Sequence, residues 1–380
     1  MQQSTKPQLQ ETKRIDVAED FIYSSRNPKY NEQYRSWRKS TDSPYLFRFV
    51  QDPREHAYMD GTGFASTTAS ATEQRTLRRV GEVIGFALLL LMLVQLGGGS
   101  LMVWVLQMLG MDIRLDFLTL SMKGSQWLVI AVRVLVMLLQ YGGALVIANR
   151  FFRIPTKIRI PFTFRAIPEA IGAVGCAMLC AAVFCTLDHF SGHGAESAQQ
   201  LFSYKNATAL MVYGIFDMLV VSLLHELLMR GTLLPMLRQF GDSFAVCTVA
   251  AMGFLFPNTT PWRVGMFLIG LASGYFLVKG GSFLNCAMMH TIYHALIYAR
   301  LILVYHDGAI ATPLQYILIL AAMGALAFIS YGITRYGRLK TENTVTYLPL
   351  SKKIMTLCES FTMLPWLAFS VLLAVAQLLL

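Results

Sequence analysis

The sequence predicts an all-α, polytopic membrane helix bundle of about eight or nine spans with a polar N-terminal tail. Three observations lead there. Of the 380 residues 55% are apolar and only 14% charged, with a mean hydropathy of +0.49, more apolar surface than one soluble core uses. Apolar runs, several of them close to the roughly 20 residues a membrane helix needs, recur from residue 80 onward. The basic residues stand beside those runs, which is the pattern of topology determinants rather than of a nucleic-acid surface with interleaved aromatics, so no nucleic-acid partner is expected.

Residues 1–79 are rich in Gln, Ser, Thr, Arg and Asp, with scattered aromatics such as Tyr30, Tyr34, Trp37 and Phe47 and no sustained period. They read as a flexible cytoplasmic tail with little fold of its own. They carry no short apolar stretch followed by a small-residue cleavage site, so the first span is read as an uncleaved anchor.

The apolar segments are 80–109, 127–148, 171–187, 207–228, 244–256, 264–278, 282–303, 314–333 and 361–380. Gly97, Gly98 and Gly99 interrupt the long first one, which therefore tilts, bends or breaks there. Segments 244–256 and 264–278 are short, and read either as compact spans or as one re-entrant pair hinged at Pro257 and Pro261. The helix bundle thus covers 80–333, followed by a basic loop at 334–360 and a C-terminal apolar helix at 361–380 that contains Pro365. The six cysteines fall mostly inside apolar segments, where free cysteine packs as a small hydrophobe, and no disulfide framework is expected.

Loop charges set the orientation. Arg75, Arg78 and Arg79 precede the first span, and Arg150, Arg153, Lys157, Arg159 and Arg165 crowd the second loop, so both regions are read as cytoplasmic. Counting onward puts Arg238, Lys279, Arg335, Arg338, Lys340, Lys352 and Lys353 on the same side. The expected location is a bacterial plasma membrane with the N-terminus in the cytoplasm.

An ionisable group in hydrocarbon is costly, so each one there is paired or functional. The set is Arg133, Asp217, His225, Glu226, Arg230, His290 and His294. Glu226 and Arg230 are four apart with the acid first, the orientation that lets a carboxylate meet a guanidinium. His225 lies about 100° round the helix from Glu226, so both can border one cavity. His290 and His294 share a helical face at the spacing of helical metal sites, and Cys286 extends that stripe by a turn.

These residues resemble a family. The run from Leu224 to Gly231, the segment Phe254-Leu255-Phe256-Pro257-Asn258 and the later His290-Thr291-Ile292-Tyr293-His294 are similar to the three motifs of the CAAX-protease and bacteriocin-processing family of intramembrane endopeptidases. The stretch around Gly274 and Tyr275 also resembles that family's approach to its third motif, and the likeness covers roughly 207–300. Glu226, Arg230, Phe254 and His290 match. His225 stands where the family has the glutamate assigned to activating water, Asn258 replaces a histidine, and His294 replaces an asparagine. The substitutions exchange ligand types without deleting polarity, which predicts a retained polar cavity.

The resemblance implies hydrolysis of a peptide bond in a hydrophobic or prenylated peptide near the cytoplasmic face, within the lipid bilayer. Glu226 would be the general base, restrained by Arg230, with His290 and Asn258 stabilising the oxyanion. A metal variant has His225, His290 and His294 holding zinc or another divalent ion, with water in the open position. Two other readings stay open: a non-catalytic relative that binds a peptide, lipid or membrane partner, and a transporter with an intramembrane charge path, against which no internal repeat is found.

Overall fold

A computed structural model describes residues 15–40, 43–51, 68–116, 121–163, 167–191, 207–256, 258–307, 311–335 and 346–379. Arg165, Pro257, Arg338 and Lys340, used in the reading above, lie outside the described residues. The fold is a polytopic helix bundle, as the sequence predicts. Its spans are α2 (Ala69–Met108), α3 (Gln126–Phe152), α5 (Ile167–Ser191), α6 (Thr208–Arg238), α8 (Thr260–Gly280), α9 (Phe283–Asp307) and α10 (Ala311–Arg335). Before them come α1 (Pro28–Ser40) and a two-residue pairing of β1 (Ile15–Asp16) with β2 (Val50–Gln51). A hairpin of β3 (Ile113–Asp116) and β4 (Ser121–Gly124) joins α2 to α3, and the short α4 (Thr156–Arg159) follows α3. The helix α7 (Asp242–Phe254) precedes α8, and α11 (Leu350–Cys358) meets α12 (Met363–Leu379) at an 88° bend.

Among the described residues seven helices are long and apolar enough to cross a bilayer, or eight if the bent α11–α12 pair counts as one. The difference from nine apolar segments has two sources. Segment 244–256 becomes α7, whose 13 residues reach only about 20 Å. Segment 361–380 begins with the bend. By contrast, segment 264–278 is the middle of the full-length α8. Helix α2 passes through Gly97, Gly98 and Gly99 as a single helix.

The spans pack as two groups on either side of α6. Helices α2, α3, α11 and α12 surround one core, which reaches the ends of α6 and α7 through residues such as Leu88, Ala148, Leu233 and Trp366. Helices α5, α8, α9 and α10 surround the other, built on small residues such as Ala173, Ala177 and Ala181 against Phe276 and Tyr293. Large apolar side chains such as Val146, Leu318, Leu326 and Leu372 stay exposed on the outer helix faces, where lipid replaces water as solvent.

The N-terminal region departs from the expected tail. Val17, Phe21, Tyr30, Tyr34 and Phe47 are buried, and α1 lies against the ends of α6, α7 and α8. Tyr34 Oη donates to Pro235 O at 2.5 Å, and Gln239 joins the 43–51 stretch through Phe47 N and Tyr45 O. The Arg238 guanidinium sits between the Tyr30 and Tyr34 rings, 5.2 and 5.1 Å from their centroids, and pairs with Asp242 at 2.7 Å. Burial pushes both phenols above their ordinary range, so they stay neutral donors. The segment lacks a period because its anchors are aromatics placed partly outside regular structure, each burying a large area. Gly281, at φ +62°, ends α8 in the left-handed conformation, and its carbonyl accepts from Asn27 Nδ2 at 3.0 Å; a Cβ there would stand 2.7 Å from Asn27 Cβ.

The region 334–360 is likewise more than a basic loop. Lys353, on α11, is buried, donates to Phe240 O at 2.6 Å and lies 3.4 Å from Glu73. Glu73 also accepts from Tyr347 N and Leu348 N. Two charges read as topology determinants, Arg238 and Lys353, are therefore interior ties.

Candidate functional site

Helix α6 carries two π-helical stretches, Phe216–Val221 and Met229–Leu233, and the α-helical turn between them holds His225 and Glu226. Such stretches recur at functional sites because they rephase a helix. Asp217 and Glu226 are nine residues apart, about 180° round an ideal α-helix, but a turn that absorbs one extra residue cuts the offset to about 80°. Both carboxylates consequently face α9. The second stretch ends just before Pro235, whose ring crowds the preceding turn, and Thr232 Oγ1 donates to Leu227 O at 3.0 Å there.

On α9, His290 and His294 stand one turn apart. His290 Nδ1 lies 2.8 Å from Glu226 Oε1, and His290 Nε2 lies 3.2 Å from His294 Nε2. His294 Nδ1 faces Asp217 Oδ2 at 3.5 Å, and that carboxylate accepts from Tyr298 Oη at 2.9 Å. His225 packs beside His290 with ring centroids 4.7 Å apart, and its Nδ1 faces Tyr141 Oη at 3.5 Å. Trp262 covers His294, centroids 5.3 Å apart. Arg230 Nε lies 3.5 Å from Glu226 Oε2, both side chains buried. Gly270 permits this: a Cβ there would come within 2.9 Å of Arg230 Nη2 and 3.2 Å of Ala250 Cα.

His225, His290 and His294 line a cavity of about 560 Å³ together with Asp217, Asn258, Arg133 and Arg263. Glu226 does not line it. The carboxylate is fully buried, with Oε1 against His290 Nδ1. Asn258 is an exposed lining residue just before α8, with Oδ1 accepting from Thr259 N at 2.8 Å and its carbonyl accepting from Arg263 Nε. It belongs to the cavity wall and does not join the histidine cluster through these bonds. Both nitrogens of His290 have a partner, Glu226 Oε1 and His294 Nε2.

The cavity lies toward one end of the bundle. Its lining includes Gln95 and Gly99 on the second half of α2, Met122 in the β3–β4 hairpin, Arg133 on the first half of α3, and Trp262 at the start of α8. All lie toward the hairpin end of the bundle, whereas Arg150, Arg153, Lys157 and the N-terminal segment occupy the other end.

His225, Glu226 and His290 each offer a ligand atom within 4.8 Å of the others. Glu226 Oε2 and His294 Nδ1 are buried without a hydrogen bond among the described residues. Imidazole nitrogens, a nearby carboxylate and sealed unsatisfied atoms form a donor set that fits a divalent cation.

Residues 207–296 match the family model described as type II CAAX prenyl endopeptidase Rce1-like. This stretch is Rce1-like. No curated protein and no solved structure matches the chain. The Rce1-like stretch contains Asp217, His225, Glu226, Arg230, Asn258, His290 and His294, and so nearly the whole cluster. Sequence reasoning missed Tyr141 and Tyr298. Tyr298 continues the four-residue spacing of His290 and His294, a signal that was available; Tyr141 lies on α3, where only its polarity within an apolar run marks it.

Proposed function

We propose that the chain is an intramembrane endopeptidase that hydrolyses a peptide bond of a hydrophobic or prenylated peptide within this cavity. The observation that carries the reading is the floor of three imidazoles, backed by Glu226, inside a protein with an Rce1-like segment. His225 stands at the position where the family has its water-activating glutamate, and its Nε2 is the floor nitrogen left to the cavity when Nδ1 faces Tyr141.

In this scheme His225 takes a proton from water as the water oxygen bonds to the carbonyl carbon. The Asn258 amide faces the oxyanion that develops, and Arg133 and Arg263 add positive potential along the wall. Collapse of the tetrahedral species breaks the C–N bond while His225 returns the proton to the leaving amine. Glu226 fixes the His290 ring, as a carboxylate fixes the imidazole of a catalytic triad, and Arg230 holds Glu226. A divalent cation bound at the histidine cluster would supply Lewis-acid polarisation of the carbonyl.

With the basic face taken as cytoplasmic, substrate reaches the cavity from the opposite half of the membrane. The second reading, a non-catalytic peptide or lipid receptor, draws on one observation, the loss of the family glutamate at position 225. Purified protein in lipid nanodiscs, given quenched apolar peptides with and without a prenyl group, separates the two. Cleavage at one peptide bond that incorporates solvent oxygen and is lost in His225→Ala is the expected result; saturable binding of the peptide with no product would establish the receptor.

A further inference from the structure

A second cavity, of about 540 Å³, lies at the basic end of the bundle, apart from the histidine cluster. Among the described residues its walls are Arg26, the first turn of α1 with Lys29, the stretch holding Phe162 and Thr163, and Glu169 with Gly280. The walls are tied down. Arg26 N donates to Lys279 O at 2.7 Å, Phe283 N donates to Pro161 O at 2.8 Å, and Asn27 Oδ1 caps α1 by accepting from Tyr30 N. Glu169, in the first turn of α5, is 2% exposed. Its Oε1 accepts from Arg26 Nη1 at 2.7 Å, while Oε2 is buried with no hydrogen bond among the described residues. That oxygen stands over Gly280, where an added Cβ would collide with it. The cavity is therefore polarised. One wall carries the electropositive N-terminal end of α1 beside Arg26 and the exposed ammonium of Lys29. The other ends on a carboxylate oxygen without a donor, at the electronegative C-terminal end of α8.

We infer that this cavity binds the zwitterionic headgroup of an ethanolamine phospholipid, its phosphate toward Arg26, Lys29 and the start of α1 and its primary ammonium on Glu169 Oε2. Each charge of that headgroup then meets its opposite. A bare anion would leave Oε2 without a donor and set a second negative charge beside it, and a buried acceptor left unpaired is costly. A quaternary ammonium has no N–H to give, so choline is the poorer fit. The position in the fold points to a lipid as the source. α5 begins at Ile167 and α8 ends at Gly280, so the cavity lies at the ends of spans, the level at which a bilayer presents its headgroups. The exposed ring of Phe162 on its wall offers an apolar contact to the chains that follow the headgroup. A bound headgroup bridges α1, α5 and α8, and so secures the N-terminal segment on the bundle.

None of these residues serves the peptidase reading, so binding is measured apart from hydrolysis. Full-length protein, stripped of lipid in detergent, is titrated with phosphatidylethanolamine, phosphatidylcholine and phosphatidylglycerol of identical acyl chains, and with soluble glycerophosphoethanolamine. Native mass spectrometry counts the bound lipid, and the thermal transition reports its effect. The expected result is a single saturable ethanolamine lipid that raises the melting temperature. The choline lipid should bind about 10–100-fold more weakly, the loss of one charge-assisted hydrogen bond, and the glycerol lipid, which has no ammonium, by a similar factor. Glu169→Gln should abolish the preference for ethanolamine over choline. Because that change also removes the charge facing Arg26, circular dichroism and monodispersity establish that the variant is folded, and a second variant is made at an exposed site. Lys29→Ala should weaken the ethanolamine lipid about 2–5-fold and keep its preference over choline. Choline lipid bound as tightly as ethanolamine lipid, a preference that survives in folded Glu169→Gln, an affinity unmoved by Lys29→Ala, or no saturable lipid at all overturns the proposal. Soluble glycerophosphoethanolamine bound as tightly as the lipid would overturn the bilayer as the source and leave the same chemistry serving a soluble ligand.

Discussion

Glu226 reaches His290 across 64 residues of chain, Oε1 to Nδ1 at 2.8 Å, while its other oxygen lies toward Arg230 on its own helix. One buried carboxylate thus fixes two helices of the bundle relative to each other and sets the orientation of an imidazole on the cavity floor. The amide of Glu226→Gln keeps the shape but loses the charged acceptor that holds the proton on His290 Nδ1 and fixes the ring. Peptide hydrolysis is expected to fall by about 10²–10⁴-fold with little change in the thermal transition, by analogy with a triad carboxylate replaced by its amide. Initial rates and melting curves on the same preparations check both halves.

Arg230→Ala removes the guanidinium and leaves that carboxylate uncompensated in a low-dielectric interior. A loss of about 3–5 kcal/mol is expected, read as a lower yield of folded protein and a depressed melting temperature in detergent. Gly270→Ala presses a methyl group on the same guanidinium and on Ala250, and should cost about 1–3 kcal/mol by overpacking.

The N-terminal segment is expected to behave as part of the bundle. Tyr34→Ala empties a buried aromatic site and removes the bond to Pro235 O, for a loss of about 3–5 kcal/mol, whereas Tyr34→Phe forfeits only the hydrogen bond, about 0.5–1.5 kcal/mol. Limited proteolysis gives a second check: cleavage within 15–40 should be slow in the parent protein and rapid in Tyr34→Ala.

Access is tested with single cysteines in a background from which the six native ones are removed. Lys157→Cys, on the basic face, should resist a membrane-impermeant thiol reagent added outside cells. Met111→Cys beside the hairpin and Asn258→Cys in the cavity wall should react. Labelling of Lys157→Cys and Asn258→Cys from the same side would contradict a cavity opening away from the basic face.

Much of the site was legible in the sequence because charge in hydrocarbon is rare enough to stand out. Glu226, Arg230, His290 and His294 announced themselves by type and by spacing of four, and they do meet in the structure. The arrangement in depth was not legible. That Glu226 lies behind His290 follows from the rotation of α6 against α9, which the two π-helical stretches set, and no pattern of residues encodes a π turn as clearly as periodicity encodes an α-helix. Asn258 was placed by motif position, yet the turn before α8 bonds its side chain to the next backbone amide. The spans were legible from apolar length, but the packing of residues 15–51 was not, since Tyr30, Tyr34 and Phe47 contact partners some 200 residues away and repeat with no period.

That long separation bears on how the protein is made. The docking points of α1, Pro235 and Gly281, lie 201 and 254 residues after their partners Tyr34 and Asn27. At about 5–20 residues per second, Pro235 is synthesised some 10–40 s after Tyr34. Throughout that interval the aromatic face of α1 has no partner on the ends of α6 and α8, while α2, α3 and α5 are already available for membrane insertion. Docking of the N-terminal segment is therefore a late step in biogenesis, one that registers when the helices bearing Glu226 and leading into His290 have reached their final places.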